Sequence, residues 1–418
     1  MISSGNDAIT VALNYAASIA DGAIERDRAG TVPVRELEAL DSSGLLGITV
    51  PREYGGPGLP ASVLAEVIRT IAAVDPAIAQ VPQSHFLLVD VLAVWGTPVQ
   101  RERLYTDVLN GSRIGNGLAE RGGAHAQDLK TRLRLTSRGP LLTGRKYYCT
   151  GAITSRWIGV SALNDDSRLV LAFVERDADG VKLDDDWNVM GQRATVSGTA
   201  AFDDVAVDPG LIVPYERAFE VPQQLGARAQ LFHTAIQAGI AGGALRDAGA
   251  FVRTKARPFF EAARQGWAER ASDDPHIIQR FGRLATRVRA AEVMLAAAAA
   301  TLDEVTRRPL DAAEAARGSL TVAQAKAFAS EVAVEVASDI FSLTGASAAD
   351  ERYDLSRHWR NARTHASHDP VDWKYHHVGN YLLNDVLPPN HGQLLFIMSY
   401  VDKHVSVRGG RHQRSREA

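Results

Sequence analysis

Two imidazoles set three residues apart, His365 and His368 in the run Thr364-His365-Ala366-Ser367-His368-Asp369-Pro370, are the groups of this sequence best suited to holding or releasing a proton near neutral pH. If the run is helical, that spacing puts both rings on one face. A metal site would need more, and no third ligand stands in register with the pair, so no metal is expected and proton handling is the chemistry predicted. The single thiol, Cys149 in Tyr147-Tyr148-Cys149-Thr150-Gly151, has no neighbour pattern that would activate it and reads as a packed small side chain. No Gly-x-Gly-x-x-Gly follows a strand-like run, so the chain is not expected to oxidise a nicotinamide cofactor itself.

The segments that must position these residues change their hydrophobic period twice. Up to about residue 115 apolar residues recur at helical spacing, as in Leu64, Val67, Ile68 and Ile71, with a loop at Val50-Pro51-Arg52-Glu53-Tyr54-Gly55-Gly56-Pro57-Gly58. From about 116 to 219 the period falls to two. Leu133 and Leu135 alternate with Arg132 and Arg134 before a turn at Ser137-Arg138-Gly139-Pro140, and strands are expected over 157–163, 169–174 and 199–207. Helices return beyond 220. One start is marked by Asp274 as cap and Pro275 in the first turn, with Ile277, Phe281, Leu284 and Val288 on one face. Further helical segments over 291–305 and 322–343 are separated by Arg308-Pro309. The expected fold is mostly α with a central antiparallel β-domain: an N-terminal helical domain over 1–115, the β-domain over 116–219 and a C-terminal helix bundle over 220–418.

Four motifs in this order resemble the acyl-CoA dehydrogenase superfamily over nearly the whole chain: Val50-Pro51-Arg52-Glu53-Tyr54-Gly55-Gly56, Gly144-Arg145-Lys146-Tyr147-Tyr148-Cys149-Thr150-Gly151-Ala152, Met190-Gly191-Gln192-Arg193-Ala194-Thr195-Val196-Ser197-Gly198, and Gly239-Ile240-Ala241-Gly242-Gly243-Ala244-Leu245. The resemblance implies a flavin between the β-domain and the bundle. It implies that Thr150 and Gly151 meet the isoalloxazine edge, that Trp187 shields a flavin face, and that Ser197 and Arg257 contact phosphate. The dehydrogenases remove a proton α to a thioester with a carboxylate, usually in a Tyr-Glu-Gly-type segment, and no such segment is present.

In its place stand His358-Trp359-Arg360-Asn361-Ala362-Arg363-Thr364-His365-Ala366-Ser367-His368 and Trp373-Lys374-Tyr375-His376-His377-Val378-Gly379-Asn380-Tyr381, with Asn384 beyond. These runs resemble the flavin-dependent monooxygenase branch of the superfamily, its dibenzothiophene monooxygenases and sulfur-acquisition oxidoreductases. That resemblance implies a two-component enzyme that takes reduced FMN from a separate NAD(P)H:flavin reductase. With O2 it would form a C4a-hydroperoxyflavin and oxidise the sulfur of a small organosulfur compound. By the same resemblance His368 manages the proton, His365 supports it, Asn116 orients the hydroperoxide and contacts the cofactor, and His85 borders the substrate pocket. A homotetramer is also implied. Ser347 and Ala348 occupy positions where the branch has an arginine and a glycine against the flavin phosphate, which keeps FAD as an alternative cofactor. The competing reading is an FAD-dependent acyl-CoA dehydrogenase with a relocated base, for which Glu120 is the candidate.

Composition excludes other classes. The 418 residues carry 46 Lys+Arg against 49 Asp+Glu, a net charge of −3, so nucleic acid is not an expected partner, and the basic run at 408–416 reads as a solvated tail. One cysteine rules out an intramolecular disulfide framework and fits a reducing compartment. The N-terminal residues carry no basic segment followed by an apolar core, and no unbroken apolar run reaches the roughly 18 residues of a membrane span. A cytoplasmic protein is expected.

Overall fold

The structure, a computed structural model, describes residues 2–123 and 128–388. The basic run at 408–416 lies outside them. The first helices are α1 (Gly5–Ile19), α2 (Ala23–Ala29), α3 (Val34–Ser42), α4 (Ala61–Ala72), α5 (Pro76–Gln80), α6 (Gln83–Trp95) and α7 (Pro98–Leu109). Their starts are written in the sequence. Ser4 accepts from Asp7 N at 3.2 Å while the Asp7 carboxylate accepts from Ser4 N at 3.0 Å, and Thr97 and Gln100 make the same reciprocal cap ahead of α7. The described segment Pro76–Trp95 is long and apolar enough to cross a membrane, and 83% of its apolar window is buried inside the fold.

The strands are β1 (Ile114–Gly117), β2 (Arg132–Thr136), β3 (Gly139–Lys146), β4 (Trp157–Leu163), β5 (Leu169–Glu175), β6 (Val181–Asp184), β7 (Thr199–Ala206) and β8 (Ile212–Pro214). They form one sheet in the order β6-β7-β3-β2-β4-β5-β8, with β1 on β4. Most pairs are antiparallel, as expected, but β1 and β2 both run parallel to β4. The sheet is therefore mixed. The alternation in β2 also holds only in part: Leu133 is buried and Leu135 is 74% exposed. Beyond the single Arg132–Leu163 pairing β2 leaves β4 and keeps only β3 beside it, and Leu135 lies in that part of the strand.

The second helical part comprises α8 (Leu225–Thr254), α9 (Phe260–Arg264), α10 (Pro275–Val305), α11 (Ala312–Asp339), α12 (Phe341–Thr344), α13 (Ser356–Ala366) and α14 (Val371–Asn384). Asp274 caps α10 as its sequence suggests, accepting from His276 N and Ile277 N. The segment started by Asp274 and the one expected over 291–305 are a single helix, α10, and α11 begins at its cap Asp311, in Ala-rich turns ahead of the apolar spacing from 322.

One hydrophobic core joins the two helical parts through Ile68, Ile71, Ile236, Ile240, Leu284 and Val332. The glycine motif of α8 belongs to this packing. A Cβ on Gly239 would lie 2.6 Å from Ala72 Cβ, and one on Gly243 would lie 2.2 Å from Ala73 O, so these glycines let α8 press against α4. A second core binds α6 and α7 to the sheet through Leu88, Leu92, Leu104, Trp157, Leu171 and Phe173. Helix, sheet and bundle are thus fastened on both sides of one cavity.

Candidate active site

Helix α8 is mostly apolar and buried, yet Gln230, His233, Thr234 and Gln237 fall at i, i+3, i+4 and i+7 and form one polar stripe. Gln230 and His233 open into a cavity of about 420 Å³, within the size range of ligand pockets. Helix α13 faces them with Thr364 and His365, and His368 follows just past its end. His233 Nδ1 lies 3.1 Å from His365 Nε2, and the His233 and His368 rings lie 4.1 Å apart between centroids. Three imidazoles therefore converge.

Burial pushes His233 and His365 well below the ordinary imidazole value, and the neighbouring His368 ring and the Lys326 ammonium push the same way. Both rings are neutral at physiological pH and serve as hydrogen-bond donors and acceptors.

The sheet supplies the opposite wall. Asn116 on β1 faces the cavity, its Oδ1 accepting from Leu118 N at 2.8 Å, and its backbone N–H donates to Thr150 O at 3.1 Å. Thr150, Ser197 and Thr195 make a buried hydroxyl chain, 2.7 Å and 2.8 Å between successive oxygens. The two segments that carry this chain are conformationally strained: Tyr148 in the first and Gln192 and the β-branched Val196 in the second have positive φ, at 57°, 56° and 48°. The second is also held firmly. Trp187 Nε1 donates to Gln192 O at 2.9 Å, Gln192 N donates to Asn361 Oδ1, and Asn361 Nδ2 donates to Asp27 Oδ1 at 3.0 Å.

Several polar atoms of the lining have no protein partner: both amide atoms of Gln192, Gln230 Oε1, Thr364 Oγ1 and His365 Nδ1. Buried polar groups are normally paired, so these mark where a polar ligand would be received. Among the described lining residues there is no aspartate or glutamate. Glu120 is engaged elsewhere, accepting from Lys146 Nζ at 2.7 Å, Lys130 N at 2.7 Å and Thr131 N at 3.1 Å. Among the described residues no group of three or more His, Cys, Asp or Glu side chains is placed to hold a metal ion.

Of the residues singled out from sequence, Asn116, Thr150, Trp187, Ser197, His365 and His368 line this one cavity. Three do not. His85 is fully buried, its Nε2–H donating to Leu46 O at 2.9 Å and its Nδ1 accepting from Ile114 N at 3.2 Å, so it braces β1 two residues before Asn116 and does not border a substrate pocket. Gly151 has φ 71°, and a Cβ there would meet Val81 Cγ1 at 3.0 Å; it turns the chain behind Thr150. Arg257 is exposed in the segment after α8, away from the lining. Burial pushes the Cys149 thiol up to about 12, which leaves it inert. Sequence reasoning missed His233, Gln230 and Gln192, and the polar stripe of α8 was the signal that could have found the first two.

Comparison with known proteins places this geometry. The family model described as Acyl-CoA dehydrogenase, N-terminal domain, matches residues 10–112, and the one described as Acyl-CoA dehydrogenase, C-terminal domain, matches residues 231–373. A dibenzothiophene monooxygenase of Rhodococcus erythropolis is 34% identical over 398 residues, covering 92% of this chain and 94% of that protein. The probable FMNH2-dependent monooxygenase SfnC of Pseudomonas putida is 30% identical, covering 91% of this chain and 96% of that protein. The crystal structure of FMN-bound TdsC from Paenibacillus sp. superposes with a TM-score of 0.87 at 30% identity, covering 92% of this chain and 98% of that one.

Proposed function

The chain belongs to the acyl-CoA dehydrogenase superfamily, in its flavin-dependent monooxygenase branch, and we propose that it is the oxygenase of a two-component system that oxidises the sulfur of a small organosulfur compound. Its cofactor is FMN, taken up reduced from a separate NAD(P)H:flavin reductase. One observation carries this reading: the cavity is walled by three imidazoles and an asparagine, with no carboxylate among its described lining residues. Removing a proton α to a thioester needs a positioned base, and Glu120 is tied to Lys146 instead.

The residues fit a flavin. The unpartnered amide of Gln192 and hydroxyl of Thr364 offer donors and acceptors to a polar-edged ring, Trp187 offers an aromatic surface, and the Thr150–Ser197–Thr195 hydroxyls offer contacts to the ribityl or phosphate end. Reduced FMN, when bound, would supply the two electrons with which O2 gives one oxygen atom to sulfur and releases the other as water.

The protein's part is to keep protons in place and water out. His368, His365 and His233 hold the hydrogen bonds near the reacting oxygen, and Asn116 Nδ2 orients it, its Oδ1 being engaged by Leu118. Leu87, Leu118 and Ala229 give the cavity an apolar side suited to the hydrocarbon part of a substrate. We also propose a homotetramer and a contact from Arg257, which lies outside this cavity, to the flavin phosphate. We place the enzyme in the cytoplasm together with that reductase.

The test supplies reductase, FMN, NADH, ¹⁸O2 and dibenzothiophene or a smaller sulfide. Sulfoxide carrying one ¹⁸O is expected. Absence of product from every sulfide, with oxidation of an acyl-CoA instead, would overturn the reading.

A further inference from the structure

Next to the imidazoles, outside the cavity lining, lie three buried charges where a single ion pair would suffice. Lys374 Nζ on α14 is 2.9 Å from Asp369 Oδ2, which pairs that carboxylate. Lys326 Nζ on α11 stands 3.7 Å from Asp369 Oδ1 and donates to Ser330 Oγ at 3.2 Å. His368 Nδ1 is 3.6 Å from the same Oδ1. The side chains of Lys326 and Asp369 are each 1% exposed and that of Lys374 is 4% exposed. Burying a second cation beside a carboxylate already paired costs desolvation that stability alone does not return. Lys326 is therefore a surplus cation, linked to the imidazoles through Asp369, whose Oδ1 also faces His368, the ring 4.1 Å from that of His233.

We propose that Lys326 is a positioning residue of the active site, a buried cation steadied by Asp369 that keeps His233 and His365 as neutral imidazoles joined by a single donor–acceptor hydrogen bond. The charged and titratable groups that act on the two rings come from four elements: His233 from α8, Lys326 from α11, His365, His368 and Asp369 from α13 and the turn after it, and Lys374 from α14 through the carboxylate. Burial also pulls Lys326 itself down, as does Lys374, and Asp369 works against both to hold its charge. Burial is the first cause holding both rings low, Lys326 adds to it, and Asp369 alone opposes it. Asp369 itself stays well below the usual carboxylate range although burial pushes it up, because His368, Lys326 and Lys374 outweigh that push. The oxygenase reading enters only in what the neutral pair is used for, which is to donate a hydrogen bond without releasing a full proton to the oxygen.

The experiment is a histidine NMR titration of the flavin-free, full-length protein, wild type and Lys326→Met, paired with the pH profile of sulfide oxygenation. In the wild type the His233 and His365 rings remain neutral from pH 8 to 5. In Lys326→Met both rings take up protons at a pH higher by about 1 unit or more, the change expected on removing a nearby like charge. The acid limb of oxygenation then moves up by the same amount, and Lys326→Arg restores both. If Lys326→Met does not fold, Lys326→Gln, which removes the charge but keeps a polar group beside Ser330, gives the same upward shift. Wild-type rings already protonated at pH 7, or ring titrations unmoved in a folded variant, would overturn the proposal. Rings that shift in a protein that oxygenates no sulfide would leave the Lys326 assignment standing and defeat the functional reading alone.

Discussion

His233 on α8 and His365 on α13 are 132 residues apart in the chain, and their Nδ1 and Nε2 atoms lie 3.1 Å from each other. A hydrogen bond between two imidazoles needs one proton and one lone pair, so the contact is lost if both rings become charged. His365 Nε2 is also 3.3 Å from Gln80 Oε1, an acceptor, which favours the tautomer with the proton on that nitrogen. His233 is then the acceptor.

Replacing His233 with Phe removes this partner from a ring that touches the cavity. Sulfoxide formed per reduced FMN consumed should fall by about 100-fold, within the usual range for a positioned proton donor or acceptor, while hydrogen peroxide rises in its place. Product and peroxide are counted in the same reaction. A variant that stays coupled would remove the imidazole pair from the mechanism.

His85 predicts a pH dependence of stability. Burial, its largest influence, and Arg113 outweigh the hydrogen bond to Leu46 and hold it at about 4 in the folded state, against 6.5 ordinarily. Between pH 6.5 and 4 the unfolded chain therefore binds this proton and the folded one does not, so stability falls as pH falls through that window. At about 1.4 kcal/mol per pH unit, His85 alone accounts for roughly 3 kcal/mol. Urea unfolding at intervals from pH 7 to 4.5 reads it. His85→Gln should flatten the slope by close to one proton.

Glu120→Gln separates structure from catalysis. It leaves the Lys146 ammonium, which is fully buried, without its carboxylate, and breaking a buried pair from one side costs about 3–5 kcal/mol. Burial already pulls Lys146 down to about 8 against the pull of Glu120, so in the variant it sheds its proton more readily still. The melting temperature should drop while oxygenation per folded molecule is unchanged. A catalytic loss without a stability loss would return Glu120 to the reaction.

The strained loop at 187–198 is fixed to α13 through several contacts, two of which can be broken one at a time. Asn361→Ala strands Gln192 N, at about 1–3 kcal/mol for the buried N–H left unpaired, and takes one contact from Asp27, which stays paired with Arg360 at 2.7 Å. A Cβ on Gly191 would sit 2.1 Å from Arg360 O, backbone that cannot move aside cheaply, so Gly191→Ala forces the loop off the helix. Either change should weaken FMN binding by about tenfold or more, equivalent to about 1.4 kcal/mol. Equilibrium titration with FMN, alongside thermal melts, checks this.

What could be read from the chain alone follows from how local each signal is. The cap of α10 needs only Asp274, Pro275 and the residues after them, and the strand at 157–163 needs only its own pattern. His365 and His368 announce themselves because they lie three apart in a short polar run. His233 does not, because its partner is on another helix and its neighbours Phe232 and Ile236 are ordinary core. Lys326 and Lys374 look like surface lysines until α11 and α14 close over Asp369. His85 was drawn to the pocket by resemblance, and the fold spends both its ring nitrogens on backbone groups. The parallel placement of β1 beside β4 likewise depends on the path taken through the intervening hairpin.

The central claim is that this imidazole-lined cavity runs oxygen chemistry on a reduced flavin, and it is tested most directly by rapid mixing. The protein is loaded anaerobically with reduced FMN and mixed with oxygenated buffer, with and without an organic sulfide, while absorbance is recorded. A flavin–oxygen adduct that persists after mixing and decays faster when sulfide is present, yielding sulfoxide, is the predicted result. Direct conversion to oxidised FMN and peroxide at one rate in both cases, with no sulfoxide formed, would contradict the account.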